Sequence, residues 1–266
     1  MNQPPQRQRI PVLMYHRVGQ PHDAADRTYC IEPAAFRAHM RTLADAGCRA
    51  ISTMEFVAWL DGATVSGSGQ PFVITFDDGF AGLHEHALPV LREIGWPAAV
   101  FLVAGQIGGE DRWALEGHPG RPLSPLLGRA QIDAMAQAGF EFHSHSMNHR
   151  SLRALGDGEL EDEVAGSRER LHALLGRPVD FFAYPYGHHD ERVVAAVKAA
   201  GYRAAFSVLS GFNRRDVDRY RIRRLDVFGT DTPRQLLRKF RFGTNDGSLA
   251  AASRYYWRQL LPRLGR

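Results

Sequence analysis

The fold is decided by the stretch PFVITFDDGF, residues 71–80. Residues 72–76 form a largely apolar run that is rich in β-branched side chains, and such a run predicts a strand that is buried on both faces. Two carboxylates and a glycine follow at once, and a helical pattern then covers residues 81–94. A buried strand that leads through a short loop into a helix is the repeating unit of a parallel α/β sheet.

The same unit recurs on both sides of this stretch. Further strands are predicted at 10–15, 98–103, 140–143, 180–183 and 204–208, and helices at 32–46, 130–138, 157–175 and 190–200. Six or more such units in 266 residues favour a closed or nearly closed (β/α) barrel, with a doubly wound open sheet as the alternative. The segments 62–70 and 105–128 are predicted to be long loops.

The sequence predicts one main domain with two flanking segments. A polar tail covers residues 1–9, the barrel 10–230, and a basic amphipathic helical region 231–266, which Pro233 opens. No apolar run reaches the roughly 20 residues that span a bilayer, and no export signal precedes the first strand, so a cytoplasmic location is expected. Peripheral membrane attachment or export remains the alternative. With only Cys30 and Cys48 present, a disulfide framework and a cysteine zinc site are excluded.

The net charge of +4 hides an uneven distribution. From residue 202 onward there are 15 basic and five acidic residues, whereas the earlier part carries a net negative charge. A solvated basic end is one interpretation. The other is peripheral contact of the basic C-terminal region with an anionic surface such as phospholipid or an acidic glycan. No recognition motif for nucleic acid accompanies the charge, so no such partner is expected.

Three unusual clusters follow predicted strands, where parallel α/β folds place their sites. The first is the pair Asp77 and Asp78. Adjacent carboxylates repel each other unless a cation or a shared proton relieves them. A helix N-cap would explain one of the two aspartates but not both. The pair therefore indicates a functional site.

The second cluster, FHSHSMNH at 142–149, holds three histidines within seven residues. His145 and His149 are four positions apart, so one helical turn would aim both imidazoles at one point. Two neutral imidazoles and one carboxylate make the three-ligand set of a catalytic divalent metal and leave a position for water. The spacing therefore predicts a metal site.

The third cluster is FAYPYG at 182–187. Pro185 and Gly187 bracket a turn that would hold the backbone N–H of Tyr186 towards a substrate oxyanion. Alone this is ordinary turn chemistry.

Taken together, the motifs TFDDG, HSMNH and AYPYG resemble those of the NodB-type polysaccharide deacetylases (carbohydrate esterase family 4), over residues 10–230. The resemblance implies a distorted (β/α)7 barrel. It implies a metal-dependent hydrolase that removes N-acetyl groups from an N-acetylhexosamine-containing polysaccharide or its precursor and releases acetate. Asp77 would be the catalytic base, and Pro185 and Tyr186 would contact the substrate. Asp78, His145 and His149 would hold a divalent metal, expected to be Zn²⁺.

The chain departs from the family pattern at two positions. Ala183 stands where the family has an arginine that orients the base, and no histidine follows His189 to serve as the usual C-terminal acid. Instead, His16 ends the run PVLMYHRV at 11–18, which is similar to the branch containing the biofilm poly-N-acetylglucosamine deacetylases. In that branch an N-terminal histidine is the acid, so His16 is the candidate here.

Two other functions stay open at this point. One is a metal-dependent amidohydrolase that acts on a small N-acyl sugar, a glycolipid or a cyclic amide. The other is a glycan-binding module that has lost turnover, which Ala183 suggests.

Overall fold

A computed structural model of the chain describes residues 8–116, 119–250 and 253. The strands are β1 (Val12–Tyr15), β2 (Arg17–Val18), β3 (Cys30–Ile31), β4 (Cys48–Ala50), β5 (Gln70–Phe76), β6 (Ala98–Leu102), β7 (Phe140–Ser144), β8 (Phe181–Ala183), β9 (Ala204–Phe206) and β10 (Leu225–Asp226). The helices are α1 (Pro33–Asp45), α2 (Thr53–Leu60), α3 (Leu88–Ile94), α4 (Arg129–Gln137), α5 (Asp157–Glu161), α6 (Ser167–Leu175), α7 (Glu191–Ala199) and α8 (Pro233–Phe242).

Eight of the strands form one parallel sheet. Seven follow the order β10-β1-β5-β6-β7-β8-β9, while β4 pairs with the first residues of β5. Phe206 of β9 forms a parallel bridge with Ile222, and the Ser207 N–H donates to the Ile222 carbonyl over 2.8 Å. Residues 222–226 thus adjoin β9 at one end and β1 at the other, so the sheet comes round on itself. The expected (β/α)7 barrel is confirmed, and the open sheet is not adopted.

The sheet separates two apolar layers. Along β5, Val73 belongs to the cluster inside the barrel, whereas Phe72, Ile74 and Phe76 belong to the cluster under the outer helices. This alternation follows from the two-residue period of a strand. The inner cluster also contains Phe56, Val57 and Trp59 of α2. These side chains fill the barrel interior near the amino ends of the strands. Polar residues occupy the mouth of the barrel at the carboxyl ends of the strands.

Several elements differ from the sequence prediction. β4, α2 and β10 are not predicted, and a π-turn at Asp162–Gly166 interrupts the helix expected at 157–175. The helix expected at 81–94 likewise begins with a π-turn, Leu83–Ala87.

The C-terminal region begins as predicted, since α8 starts at Pro233 behind the N-cap Thr232. The helix packs against α1. Its Phe240 ring lies 5.4 Å from Phe72. The remainder of the predicted basic region, residues 251, 252 and 254–266, lies outside the described residues, as does most of the predicted N-terminal tail. The boundary at residue 230 stays a prediction. No helix in the described ranges combines the length and the hydropathy that crossing a membrane requires.

Candidate active site

The three predicted metal ligands meet at the carboxyl ends of the strands. Asp78 follows β5, and His145 and His149 follow β7. Asp78 Oδ1 lies 3.5 Å from His145 Nε2 and 3.3 Å from His149 Nε2, and one ligand atom from each residue falls within 4.8 Å of the others. All three side chains are buried. The structure therefore brings the predicted ligand set together.

The protonation pattern of these side chains fits a divalent cation. His145 Nδ1 lies 2.9 Å from the Ala183 carbonyl, which can only accept, so Nδ1 carries the proton and the Nε2 lone pair faces Asp78. Burial lowers the pKa of His145 to about 4, so the ring is neutral. Asp78 Oδ1 is buried and has no hydrogen-bond partner among the described residues. A lone pair facing an unsatisfied carboxylate oxygen is the arrangement that a metal ion resolves.

Two opposing effects act on the pKa of Asp78. Burial raises it, but the nearby His149 and the other imidazoles lower it more, and the net pKa lies well below the usual range. The carboxylate is therefore ionised and available as a ligand.

Backbone strain is concentrated in this site. Within the described ranges, the residues other than glycine with positive φ are Asp78 (71°), Ser146 (67°), His149 (60°) and Tyr186 (56°). Each left-handed residue of this kind costs about 1–3 kcal/mol and persists only where surrounding contacts enforce it. The prediction of a helical turn between His145 and His149 is wrong, because this segment is a loop with two left-handed residues.

Hydrogen bonds from neighbouring groups hold the loop 145–149, which carries both histidines. The Ser146 hydroxyl accepts from the His149 N–H over 3.0 Å. The buried Glu163 carboxylate accepts from the N–H groups of Met147 (3.1 Å) and Asn148 (2.9 Å), and from the Asn148 side-chain amide (2.9 Å). The loop that carries both ligands is thus fixed from the α5–α6 side. Sequence reasoning missed Glu163, because the π-turn that carries it has no sequence signature.

Asp77, the predicted base, pairs with Arg224 in a two-pronged ion pair. Arg224 Nη1 donates to Oδ1 over 2.7 Å and Nη2 to Oδ2 over 2.8 Å, and Arg224 is fully buried. Its Nε donates to the Ser207 carbonyl over 2.9 Å, and this bond fixes the orientation of the guanidinium group. Burial raises the pKa of Asp77, but the Arg224 guanidinium and then His145 hold it below the usual value. Arg224 thus provides the guanidinium that is absent at Ala183.

His16 reaches the same mouth from the end of β1. It is partly exposed, and its charge would act on Asp77 and Asp78. The Tyr29 ring lies 4.8 Å from the His16 ring between centroids. The structure thus places the predicted acid within electrostatic range of the predicted base and of one predicted ligand.

The third motif also lies at this mouth. Pro185 is buried, and the left-handed Tyr186 turns the chain so that its ring sits 4.6 Å from His149 and stays 47% exposed. Gly187 is required here, since a Cβ would come within 2.2 Å of Val208. On another side of His149 the Trp113 ring stacks at 4.8 Å and 29°. Sequence reasoning missed Trp113, which lies in the long loop 105–128.

Comparisons with known proteins agree with this geometry. Residues 64–205 match the sequence model of a family described as Polysaccharide deacetylase. The putative polysaccharide deacetylase YxkH of Bacillus subtilis is 26% identical over 82% of this chain and 71% of the relative. The poly-β-1,6-N-acetyl-D-glucosamine N-deacetylase of Staphylococcus epidermidis is 23% identical over 81% and 78%.

A solved structure, IcaB from Ammonifex degensii, superposes with a TM-score of 0.69 at 26% identity and covers 84% of this chain and 93% of that one. The family match spans more than half of the 266 residues and includes the aspartate pair, both histidines of the predicted ligand set and the AYPYG motif. The chain therefore belongs to the polysaccharide deacetylase family, and it is a deacetylase.

Proposed function

We propose that this deacetylase removes N-acetyl groups from poly-N-acetylglucosamine or its precursor, with Asp77 as the base and His16 as the acid. One observation carries the proposal: an ionised carboxylate locked by Arg224 lies beside a buried Asp-His-His ligand set at a single barrel mouth. The printed name of the Staphylococcus epidermidis relative supports the choice of polymer.

Asp78, His145 and His149 would hold one divalent metal, expected to be Zn²⁺, since imidazole and carboxylate ligands are common in catalytic zinc sites. When bound, the ion supplies Lewis-acid polarisation of the acetamide carbonyl and of the attacking water. The fixed tautomer of His145 keeps its Nε2 free for this role.

The remaining steps belong to the side chains and backbone of this chain. Asp77 accepts a proton from the water that attacks the carbonyl carbon, and each of its oxygens keeps a lone pair beside its bond to Arg224. The Tyr186 N–H donates to the developing oxyanion. His16, as imidazolium, donates a proton to the leaving nitrogen. The C–N bond breaks, and acetate and a free amino sugar result.

Two substitutions test these roles, with acetate release from a pentamer of β-1,6-linked N-acetylglucosamine and elemental analysis as the readouts. Asp77→Asn should keep the metal and lose about 10²–10⁴ in kcat, the usual contribution of general-base catalysis. His145→Ala should lose both the metal and activity. His172→Ala, which removes an exposed imidazole from α6, is the control and should lose neither.

Full metal content in His145→Ala would contradict the ligand assignment, and near-normal turnover in Asp77→Asn would place the base elsewhere. Release of acetate only from small N-acyl compounds would favour the amidohydrolase alternative. Binding of the pentamer without turnover by the metal-loaded native chain would favour the binding module.

A further inference from the structure

We infer that Lys239 and Asn245 are positioning residues that hold the end of β10 and thereby keep the Arg224 guanidinium on Asp77. The inference rests on the proposed function and deepens it, because it makes α8 and the loop after it part of the same site. Both residues belong to the region 231–266, which the sequence pattern separates from the barrel domain. We call Lys239 and Asn245 the β10 anchors.

β10 is a very short strand with one edge turned away from β1. Its residues Leu225 and Asp226 pair with Leu13 and Met14 of β1, and the Val227 N–H donates to the Met14 carbonyl over 3.0 Å. Successive backbone groups of a strand point to opposite sides, so the N–H and the carbonyl of Asp226 face away from β1. Both groups need a partner on that second edge, because buried backbone groups are almost always hydrogen-bonded.

The partners on this second edge change along the chain. The Arg224 N–H, which points to the same side as that of Asp226, donates to the Leu209 carbonyl over 3.0 Å. At Asp226 the partners are the β10 anchors. The Asp226 N–H donates to Asn245 Oδ1 over 2.9 Å, and the Asp226 carbonyl accepts from Lys239 Nζ over 3.0 Å. Two side chains thus make the hydrogen bonds that a neighbouring strand would make.

The charge of Lys239 is buried, which is unusual for a lysine. The residue is 1% exposed. Its Nζ also donates to Asp231 Oδ2 over 2.5 Å and lies 4.3 Å from the centroid of the Phe228 ring. A buried ion pair is often no more stable than apolar side chains of similar volume. Stability alone therefore gives no reason for this lysine, whereas the fixed donor that it offers to the Asp226 carbonyl does.

Asn245 holds both the backbone and the side chain of Asp226. Its Nδ2 donates to the Asp226 carboxylate, in addition to the bond that its Oδ1 accepts from the backbone. The loop that carries Asn245 is folded back on α8. Gly243 ends the helix in the left-handed conformation (φ 65°), and Arg238 Nε donates to the Gly247 carbonyl over 2.5 Å. Since α8 itself packs against α1, this anchor stands on a fixed support.

Arg224 lies between two points at which the chain is held. Its own N–H is bonded to Leu209, and Asp226, two residues later, is bonded to the β10 anchors. The guanidinium donates to both oxygens of Asp77, and a two-pronged pair of this kind requires both groups to be aligned. A displacement of about 1 Å in a group that positions the reaction can cost about 10² in rate. Release of the end of β10 would therefore weaken catalysis without removing any group that takes part in it.

The test uses acetate release from the pentamer, amide hydrogen exchange over residues 222–227, and elemental analysis. Asn245→Ala should lower kcat and kcat/KM equally, by about 10–10²-fold, because the anchors act on the guanidinium and not on the bound glycan. Lys239→Met should do the same. In both variants the amides of 222–227 should exchange faster than in the native chain, and the metal content should stay native. The matched controls are Gln137→Ala, which removes an exposed amide from α4, and Arg234→Ala, which removes an exposed charge from α8; neither should change any readout.

A double-mutant cycle tests whether Asn245 acts through Arg224. Arg224→Lys keeps a cation but loses the two-pronged geometry. In that background Asn245→Ala should lower kcat by less than about twofold further, since coupled residues are not additive. The full loss in that background would overturn the inference, because Asn245 would then act by another route.

The exchange measurement needs no turnover, so the two proposals fail separately. Native exchange over 222–227 in both anchor variants would overturn the hold on β10 whatever their activity. Faster exchange with native kcat would also contradict the inference, since the anchors would then serve stability alone. A native chain that released no acetate, with faster exchange in the anchor variants, would sink the proposed function and leave the hold on β10.

Discussion

Arg224 and Asp77 show how one side chain can replace another from a distant part of the sequence. The family arginine is absent at Ala183, yet the guanidinium reaches the same carboxylate from the loop before β10. Removing one partner of a buried ion pair leaves an uncompensated charge and costs about 3–5 kcal/mol. Without Arg224, the uncompensated buried charge would be that of Asp77, the proposed base.

Arg224→Met should therefore lower both stability and activity. We expect the unfolding free energy to fall by about 3–5 kcal/mol and kcat by at least about 10², because burial then raises the pKa of Asp77 without the guanidinium that opposes it. Urea unfolding and acetate release measure the two effects. Arg223→Met, which changes the exposed neighbouring arginine, is the control. A variant at Arg224 with native kcat would show that the pair is only structural.

The role of His16 can be separated from that of the metal by the choice of leaving group. An amine leaves poorly unless it is protonated, whereas an aryl oxide leaves without help. His16→Ala should cripple release of acetate from the amide but spare an activated aryl acetate, with metal content unchanged. Equal losses on both substrates would assign His16 a structural role instead.

At the residue scale, the sequence predicted the groups that stand in local motifs. Asp77, Asp78, His145, His149 and Tyr186 follow predicted strands, and the carboxyl ends of parallel strands converge. Arg224 carries no such signal, because it lies in a stretch where arginine is frequent and charge alone indicates a solvated surface. Its role depends on a contact across 147 positions of sequence.

At the element scale, the predicted elements are those with long, clear periodicity. β5 and β6 are continuous apolar runs, and α1 and α7 are amphipathic helices that were predicted to within a residue or two. β4 has three residues and contains an arginine, and β10 has two. Strands this short leave no period to detect, and tertiary pairing alone defines them.

The buried histidine of α1 gives stability a dependence on pH. His39 Nε2–H donates to the Asp231 carbonyl over 2.7 Å, and the Tyr15 hydroxyl lies 3.4 Å from Nδ1, so the neutral ring is fully bonded. Burial lowers the pKa of His39 in the folded chain. The unfolded chain then binds a proton that the folded chain refuses, so this contribution to stability is complete above about pH 6.5 and is lost as the pH falls towards the folded pKa.

His39→Gln should flatten that dependence. The native chain should lose up to about 1.4 kcal/mol of unfolding free energy per pH unit from this group below pH 6.5, and the variant should lose less over the same range. Urea unfolding at pH 7.5, 6.0 and 5.0 gives the slopes. His172→Gln, at an exposed position, should leave the slope unchanged, and an unchanged slope in His39→Gln would place the titration elsewhere.

At the scale of the whole molecule, the uneven charge is partly resolved by folding. Arginines of the basic half pair with carboxylates of the acidic half: Arg219 with Asp61, and Arg221 with Glu191. Some of the arginines after residue 201 therefore form ion pairs within the molecule. The proposed contact of the C-terminal region with an anionic surface stays a prediction.

A metal that binds only the folded chain should stabilise the whole barrel. Its three proposed ligands come from loops after β5 and β7, which unfolding would separate. At a hundredfold excess over Kd such a ligand adds about 2.7 kcal/mol. Chelation should therefore lower the Tm of the native chain, and added Zn²⁺ should restore it. Asp78→Asn should show a much smaller shift, and an equal shift in that variant would locate the metal elsewhere.

The closure of the barrel by residues 222–226 has a consequence for synthesis. A nascent chain that has emerged only as far as β9 already carries all three motifs, but it has neither the strand that closes the sheet nor the guanidinium that holds Asp77. Residues 222–226 supply both together. Chains that end, or have emerged, only as far as β9 should therefore be inert, and competence for catalysis appears only when residues 222–226 have completed the barrel.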